Sequence, residues 1–198
     1  MAITYPLSTP TTIGIESIEL RAVNSVAVSQ SPFTYKQQII SHGGQKWEAS
    51  VNIPSVHRDK AAEWKAMLIG LKGQYGTFLL GDPDYATPQG TVSACVLTGT
   101  AGQDEATVVM TGTLKAGDYI HVNNGTTRQL FKVLKDANTN SSGQTTLDVW
   151  PDVRVSLGNN ATVTVENTQG LFRLASNEQS FSINEASTYG ISFSAIEA

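Results

Sequence analysis

The chain has 198 residues and a net charge of −4, and it is 40% hydrophobic but only 15% charged. That length suits one large or two small domains, and an acidic balance without a basic run excludes nucleic-acid binding by phosphate neutralisation. The single cysteine, Cys95, excludes an internal disulfide framework and a cysteine-based zinc site. Ser, Thr, Asn and Gly take the place of charge. Two readings of that stay open: a polar surface that desolvates readily against a partner, or a β-rich chain, which favours Thr and Gly anyway. Met1 to Pro6 shows no basic stretch followed by an apolar run, and no apolar segment is long enough to span a bilayer. The expectation is a soluble, non-membrane protein made in the cytosol.

Along the chain, Pro6 and Pro10 keep the first ten residues extended. Ser17 to Val28 reads as one strand, or two broken near Asn24-Ser25. A hairpin is expected next, with Phe33 to Ile40 running in, His42-Gly43-Gly44 turning, and Lys46 to Ile53 running out. Trp47, Ala49, Val51 and Ile53 share one face of the returning arm, and Glu48, Ser50 and Asn52 the other. Pro54 is expected to end it. Ala61, Trp64, Leu68 and Leu71 form one apolar stripe, which predicts a helix over Arg58 to Leu71 with Gly73 as its left-handed C-terminal residue. An apolar strand from Tyr75 to Leu80 follows, then turns at Gly81-Asp82-Pro83-Asp84 and Pro88-Gln89-Gly90.

From Gly90 to about Asn167 the texture changes to short strands between turn clusters. The strands are Val92–Leu97, Ala106–Met110, Tyr119–Val122, Arg128–Leu134, Thr145–Trp150 and Thr162–Val165. Their separators include Gly99 to Asp104, Asn123-Asn124-Gly125 and Asn138 to Gly143. So many short strands predict a small closed or nearly closed barrel, OB-like being one topology, because closure removes exposed edges. Longer strands return after Gly170, where Tyr189, Ile191, Phe193 and Ala195 alternate with Gly190, Ser192 and Ser194. The expected division is a discontinuous domain, 1–88 with 168–198, interrupted by a barrel domain at 89–167.

Three passages then carry a resemblance. Leu114-Lys115-Ala116-Gly117-Asp118-Tyr119, with Lys132-Val133-Leu134 and Gly143 through Thr146-Leu147-Asp148-Val149-Trp150-Pro151, resembles the barrel module of tailed-phage tail proteins. Gly170-Leu171-Phe172-Arg173-Leu174-Ala175-Ser176-Asn177, with Tyr189-Gly190-Ile191-Ser192-Phe193, resembles their closing strands. Leu71-Lys72-Gly73-Gln74-Tyr75-Gly76-Thr77-Phe78, after a helix carrying Trp64, fits the same pattern. The whole layout resembles the distal tail protein of siphophages and gene-transfer-agent-like particles. In that family a tail-tube-like β-sandwich with one flanking α-helix is interrupted by an OB-like barrel.

The resemblance implies a mainly β structural protein of the virion, made in the host cytoplasm and placed at the distal end of the tail. It implies a hexameric ring joining the tail tube protein to the baseplate hub protein. The tape-measure protein or DNA would pass through its lumen, and side fibres would attach outside. For such a ring, the Phe33–Ile53 hairpin is the candidate for reaching a neighbouring subunit, through Phe33, Tyr35, Ile39, Trp47, Val51 and Ile53, because open strand edges are docking sites. An ordinary intramolecular hairpin is the competing reading.

The sequence offers little chemistry. His42, His57 and His121 have no metal-ligand spacing. Asp82-Pro83-Asp84 lacks the remaining oxygens of a calcium loop. Asp104, Glu105, Asp148 and Asp152 form no recognisable carboxylate pair. No nucleophile elbow or phosphate-binding loop is present. The expectation is therefore no enzyme, cofactor or metal. Trp150, beside Pro151, is the one aromatic considered as ligand-facing, although core packing explains it as well. The alternative functions are a carbohydrate-binding module, whose barrel would hold a glycan, and a tail-tube protein.

Overall fold

The computed structural model describes residues 3–123, 128–139, 143–185 and 187–198, with backbone alone at 159 and 160. Among the described residues strands make up about half and there is one helix, so the protein is mainly β. In order, the elements are β1 (Ser17–Gln30), β2 (Gln37–His57), α1 (Arg58–Gly70), β3 (Phe78–Leu80), β4 (Ala94–Gly99), β5 (Glu105–Thr111) and β6 (Thr113–Leu114). They continue as β7 (Tyr119–Asn123), β8 (Arg128–Val133), β9 (Ala137–Asn138), β10 (Gln144–Trp150), β11 (Leu157–Thr164), β12 (Gly170–Leu174), β13 (Ser182–Ile183) and β14 (Thr188–Glu197). Strands β1, β2, β14, β12 and β3 line up in that order in one sheet, with β13 beside β14. Strands β10, β5, β4, β11, β7 and β8 close into a barrel, and β6 pairs with β9 as a small ribbon. All barrel strands lie in the chain between β3 and β12, which pair with each other from Gly170–Leu80 to Phe172–Phe78.

The sheet's core follows from period two. Trp47, Ala49, Val51 and Ile53 of β2 and Ile191, Phe193 and Ala195 of β14 are buried on one face. Helix α1 covers that face with Ala61, Trp64, Met67 and Leu68. The helix forms because it is rich in Ala, Glu, Lys, Met and Leu, with neither Gly nor Pro before its last residue. It stops where Lys72 and Gly73 both turn left-handed, at φ 53° and 68°. Trp64 stacks obliquely on Phe193 at 6.0 Å and donates its indole N–H to the Ile13 carbonyl at 3.3 Å.

Barrel strand β5 alternates cleanly, with Ala106, Val108 and Met110 inward. Strands β7 and β8 break the alternation because both of their faces are covered. Ile120, Val122, Phe131 and Val133 fill the barrel, whereas Tyr119 and Leu130 belong to the core of the sheet.

Several expectations need correction. His42-Gly43-Gly44 is not a turn. Strand β2 runs straight through it, and the hairpin is made by β1 and β2 with its turn at residues 31–36. Pairing passes from Asn24–Gln45 to Val26–Ser41, so residues 42–44 bulge opposite Ser25 alone. Gly43 sits in the left-handed region there, at φ 68°. The expected break near Asn24-Ser25 in β1 is this bulge seen from the other strand. Pro54 does not end β2 either. It lies where pairing with β14 shifts between Tyr189–Val56 and Ile191–Ile53, an irregular place that needs no ladder N–H. The strand expected over Tyr75–Leu80 is only Phe78–Leu80, with Tyr75 exposed. All six expected barrel strands are present with shifted ends. Strand β7 pairs with β8 out to Asn123–Arg128, but residues 124–127, on which the Asn-Gly turn falls, lie outside the described residues, as do 140–142.

Candidate functional site

Two features stand out once the core is accounted for: a projecting arm and a buried seam. The arm is the distal part of the β1–β2 hairpin. Strand β14 pairs with β2 only from Glu48 to His57. Beyond that, β1 and β2 continue as a two-stranded ribbon from Val26–Ser41 to Gln30–Gln37. Residues 24–44 are all exposed except Ser31. Phe33 is 91% and Tyr35 73% exposed, and Val26, Val28, Ile39 and Ile40 also face solvent. The turn is well bonded internally. Ser31 N–H donates to Lys36 O and Tyr35 N–H to Ser31 O, both at 3.0 Å. Tyr35 is left-handed at φ 55°, which costs a bulky residue about 1 kcal/mol. An isolated two-stranded ribbon in water is marginal, and a run of exposed apolar residues marks an interaction surface.

The six hairpin residues singled out in the sequence divide at the bulge. Phe33, Tyr35 and Ile39 lie on the arm. Trp47, Val51 and Ile53 do not: they are at most 4% exposed and belong to the core, so they cannot reach another subunit in the folded chain.

The seam joins sheet to barrel. Trp47 anchors it, its indole N–H donating to the Leu130 carbonyl of β8 at 3.0 Å. Trp150, at the end of β10, meets Trp47 edge-on at 4.4 Å and donates its own N–H to Asn24 Oδ1 at 2.8 Å. Trp150 is thus engaged by both β1 and β2. Gln45 accepts from the Asp152 amide at 2.7 Å. Beside them Glu197, whose side chain is 1% exposed, accepts from the Trp47 amide at 2.9 Å and pairs with the Arg154 guanidinium. Burial pushes the Glu197 carboxyl upward, opposed by Arg154 and the Trp47 amide. Tyr85 and Tyr119 stack edge-on at 5.0 Å, with Lys132 Nζ 4.5 Å from the Tyr119 ring centre.

The two connections between sheet and barrel are tied down as well. On the way out, Asp118, fully buried, accepts from the amides of Gln89 (2.7 Å), Gly90 (3.2 Å) and Lys115 (2.8 Å). On the way back, Gln169 N–H donates to His121 Nδ1 at 3.2 Å. Burial, then Arg128, lowers the His121 imidazolium to about 4, so the ring is neutral and free to accept. Gly81 lies against the returning chain, where a Cβ would come 1.9 Å from the Thr168 carbonyl oxygen. Sequence reasoning missed Asp118, Glu197 and the Trp47–Trp150 contact. Only the bulk of the two tryptophans hinted at them, since carboxylates that bond backbone amides leave no motif.

Among the described residues no group of three or more His, Cys, Asp or Glu gathers, and no helix is long and apolar enough to cross a membrane. A groove of about 340 Å³ on the sheet's open face is lined by Ser50, Asn52, Ser192, Ser194 and Glu178, among others. Glu178 is its one ionisable lining residue, and the groove holds no nucleophile–base pair. No protein-family model matches the sequence, and no curated protein matches it.

Proposed function

We propose that this protein is a structural component of a phage tail tip, forming a hexameric ring that connects the tail tube to the baseplate hub. The observation that carries the reading is the arm: an exposed, nearly uncharged β-ribbon leaving the edge of a well-packed sheet. Supporting it is the chain order, in which a barrel lies between two strands that pair in the sheet. In this reading the sheet and its helix form the tail-tube-like sandwich domain, 1–88 with 168–198. The barrel, 89–167, is the OB-like insertion, carried outward as a place for side fibres. The lumen admits the tape-measure protein, the protein sits in the virion, and it has no catalytic role. Rings also need each subunit to present two different, complementary surfaces, which an arm at one sheet edge begins to supply.

The test is to image the purified full chain by negative stain and to sediment it over a range of concentrations. Closed rings of one size are the expected result. Long stacked tubes would favour a tail-tube protein, and monomers at every concentration would sink the ring.

A further inference from the structure

The ring reading leaves open what the arm touches, and the other edge of the sheet supplies an answer. Strand β1 forms one edge of the sheet and β3 the other. At the β3 edge the N-terminal segment runs alongside, Leu7 N–H donating to Thr77 O and Leu7 O accepting from Leu79 N–H, both at 2.9 Å. This segment meets the end of α1. Tyr5 donates its hydroxyl to Gly70 O at 2.7 Å, and a Cβ on Gly70 would lie 3.6 Å from Ile3 Cδ1. Tyr5 also meets Tyr75 edge-on at 6.0 Å. Around this junction Ile3, Ile69 and Tyr75 are each more than half exposed.

We propose that the arm of one copy docks onto the Ile3–Ile69–Tyr75 surface of the next copy. The proposal rests on the ring reading above and names the partner surface within it. Four observations support a second copy of this chain as the occupant. The arm and the acceptor are different patches at opposite edges of one sheet, so an arm-to-acceptor contact can leave an arm and an acceptor free for further copies, as a head-to-tail ring needs. Residues 24–44 match the ~20–30 residues that a stable interface takes from each side. Between 24 and 44 the only formally charged residue is Lys36, and within 3–9 and 69–75 it is Lys72, so neither surface brings a carboxylate into the contact. Both surfaces present aromatic rings, Phe33 and Tyr35 on one and Tyr75 on the other, the residue class that anchors interface centres. The five ribbon pairs and the turn give a reach of ~20 Å, enough to leave the parent sheet and lie across a neighbour. The left-handed Tyr35 holds its ring outward at the tip, a cost that contact with a partner offsets.

The test uses the full chain with single cysteines. The native Cys95 is buried and its thiol is pushed up to about 11, so it stays silent towards maleimides at neutral pH. Phe33→Cys and Ile69→Cys proteins are purified separately, mixed, and treated with a short bismaleimide, alongside sedimentation of the untreated chains. The expected result is a covalent dimer in the mixture, absent from either variant alone, and a ladder of higher species from the double variant. Tyr75→Glu, an exposed change that leaves the fold intact, should weaken assembly at least tenfold. Rings that form without the 33–69 product would overturn this contact and leave the ring reading standing. Self-linking of Phe33→Cys alone would replace it with a two-fold contact. Monomers throughout, with or without capture of a different tail protein on the arm, would overturn both readings.

Discussion

At the base of the β1–β2 hairpin, Ala49, Val51 and Ile53 are buried beneath α1 and paired with β14, and Trp47 is buried against the barrel. At its tip, Val26, Val28, Phe33, Tyr35, Ile39 and Ile40 have no third strand and no covering helix. The same two strands thus hold similar apolar residues in opposite environments, divided at the bulge of residues 42–44. The base stabilises the monomer, at ~1.5–3 kcal/mol for each large side chain fully buried. The tip contributes almost nothing to the isolated chain, and its exposed apolar run is the kind of surface that marks an interaction site. The seam belongs with the base: Trp150 and Gln45 tie the barrel to the hairpin where the sheet ends and the arm begins.

The division can be broken first at Trp47. Trp47→Ala removes a buried ring, its bond to Leu130 and its contact with Trp150. The expected loss is about 3–5 kcal/mol in urea unfolding, together with the seam's rigidity by hydrogen exchange. Next is Arg154→Ala, which strands the Glu197 carboxylate and should cost roughly 3 kcal/mol at neutral pH. The sign follows from burial. A carboxyl raised in the folded state keeps its proton longer than in the unfolded chain, so stability falls as pH rises through that window. The variant should therefore be least impaired in acid.

His121 should act in the opposite sense. Its folded value, about 4, lies below the ordinary 6.5, so the unfolded chain binds the extra proton between them. Its contribution is complete above pH ~6.5 and is lost towards pH ~4, up to about 3 kcal/mol. His121→Gln, which can still accept from Gln169, should flatten that slope in a series of urea midpoints. The smallest effects belong to the arm. Phe33→Ser and Ile39→Ser should each change monomer unfolding by less than ~0.5 kcal/mol while weakening self-association. A large loss of monomer stability from either would erase the distinction between base and tip.

Much of this architecture was legible because it is local. The stripe of Ala61, Trp64, Leu68 and Leu71 forms the helix, and Ala106, Val108 and Met110 alternate as the sequence implies. The alternation of Ile191, Phe193 and Ala195 is equally plain in β14. The hairpin was misplaced because two glycines after His42 look alike as a turn and as a bulge. Only the partner strand decides between them, and β1 lies too far back for a local pattern to show it. The seam was illegible for a related reason. Asp118, Glu197 and His121 act on amides tens of residues away, and no spacing records such a bond. The exposed residues Ile3, Ile69 and Tyr75 are brought towards one corner of the sheet only because the N-terminal segment lies beside β3.

Native mass measurement of the purified chain, with and without an Ile39→Lys change in the arm, tests the central claim most directly. The account predicts one closed assembly of several 21.1 kDa subunits for the unmodified chain and its collapse to monomer in the variant, with the intrinsic stability of the monomer unchanged. A 21.1 kDa monomer at every concentration, or an assembly indifferent to the arm, would contradict it.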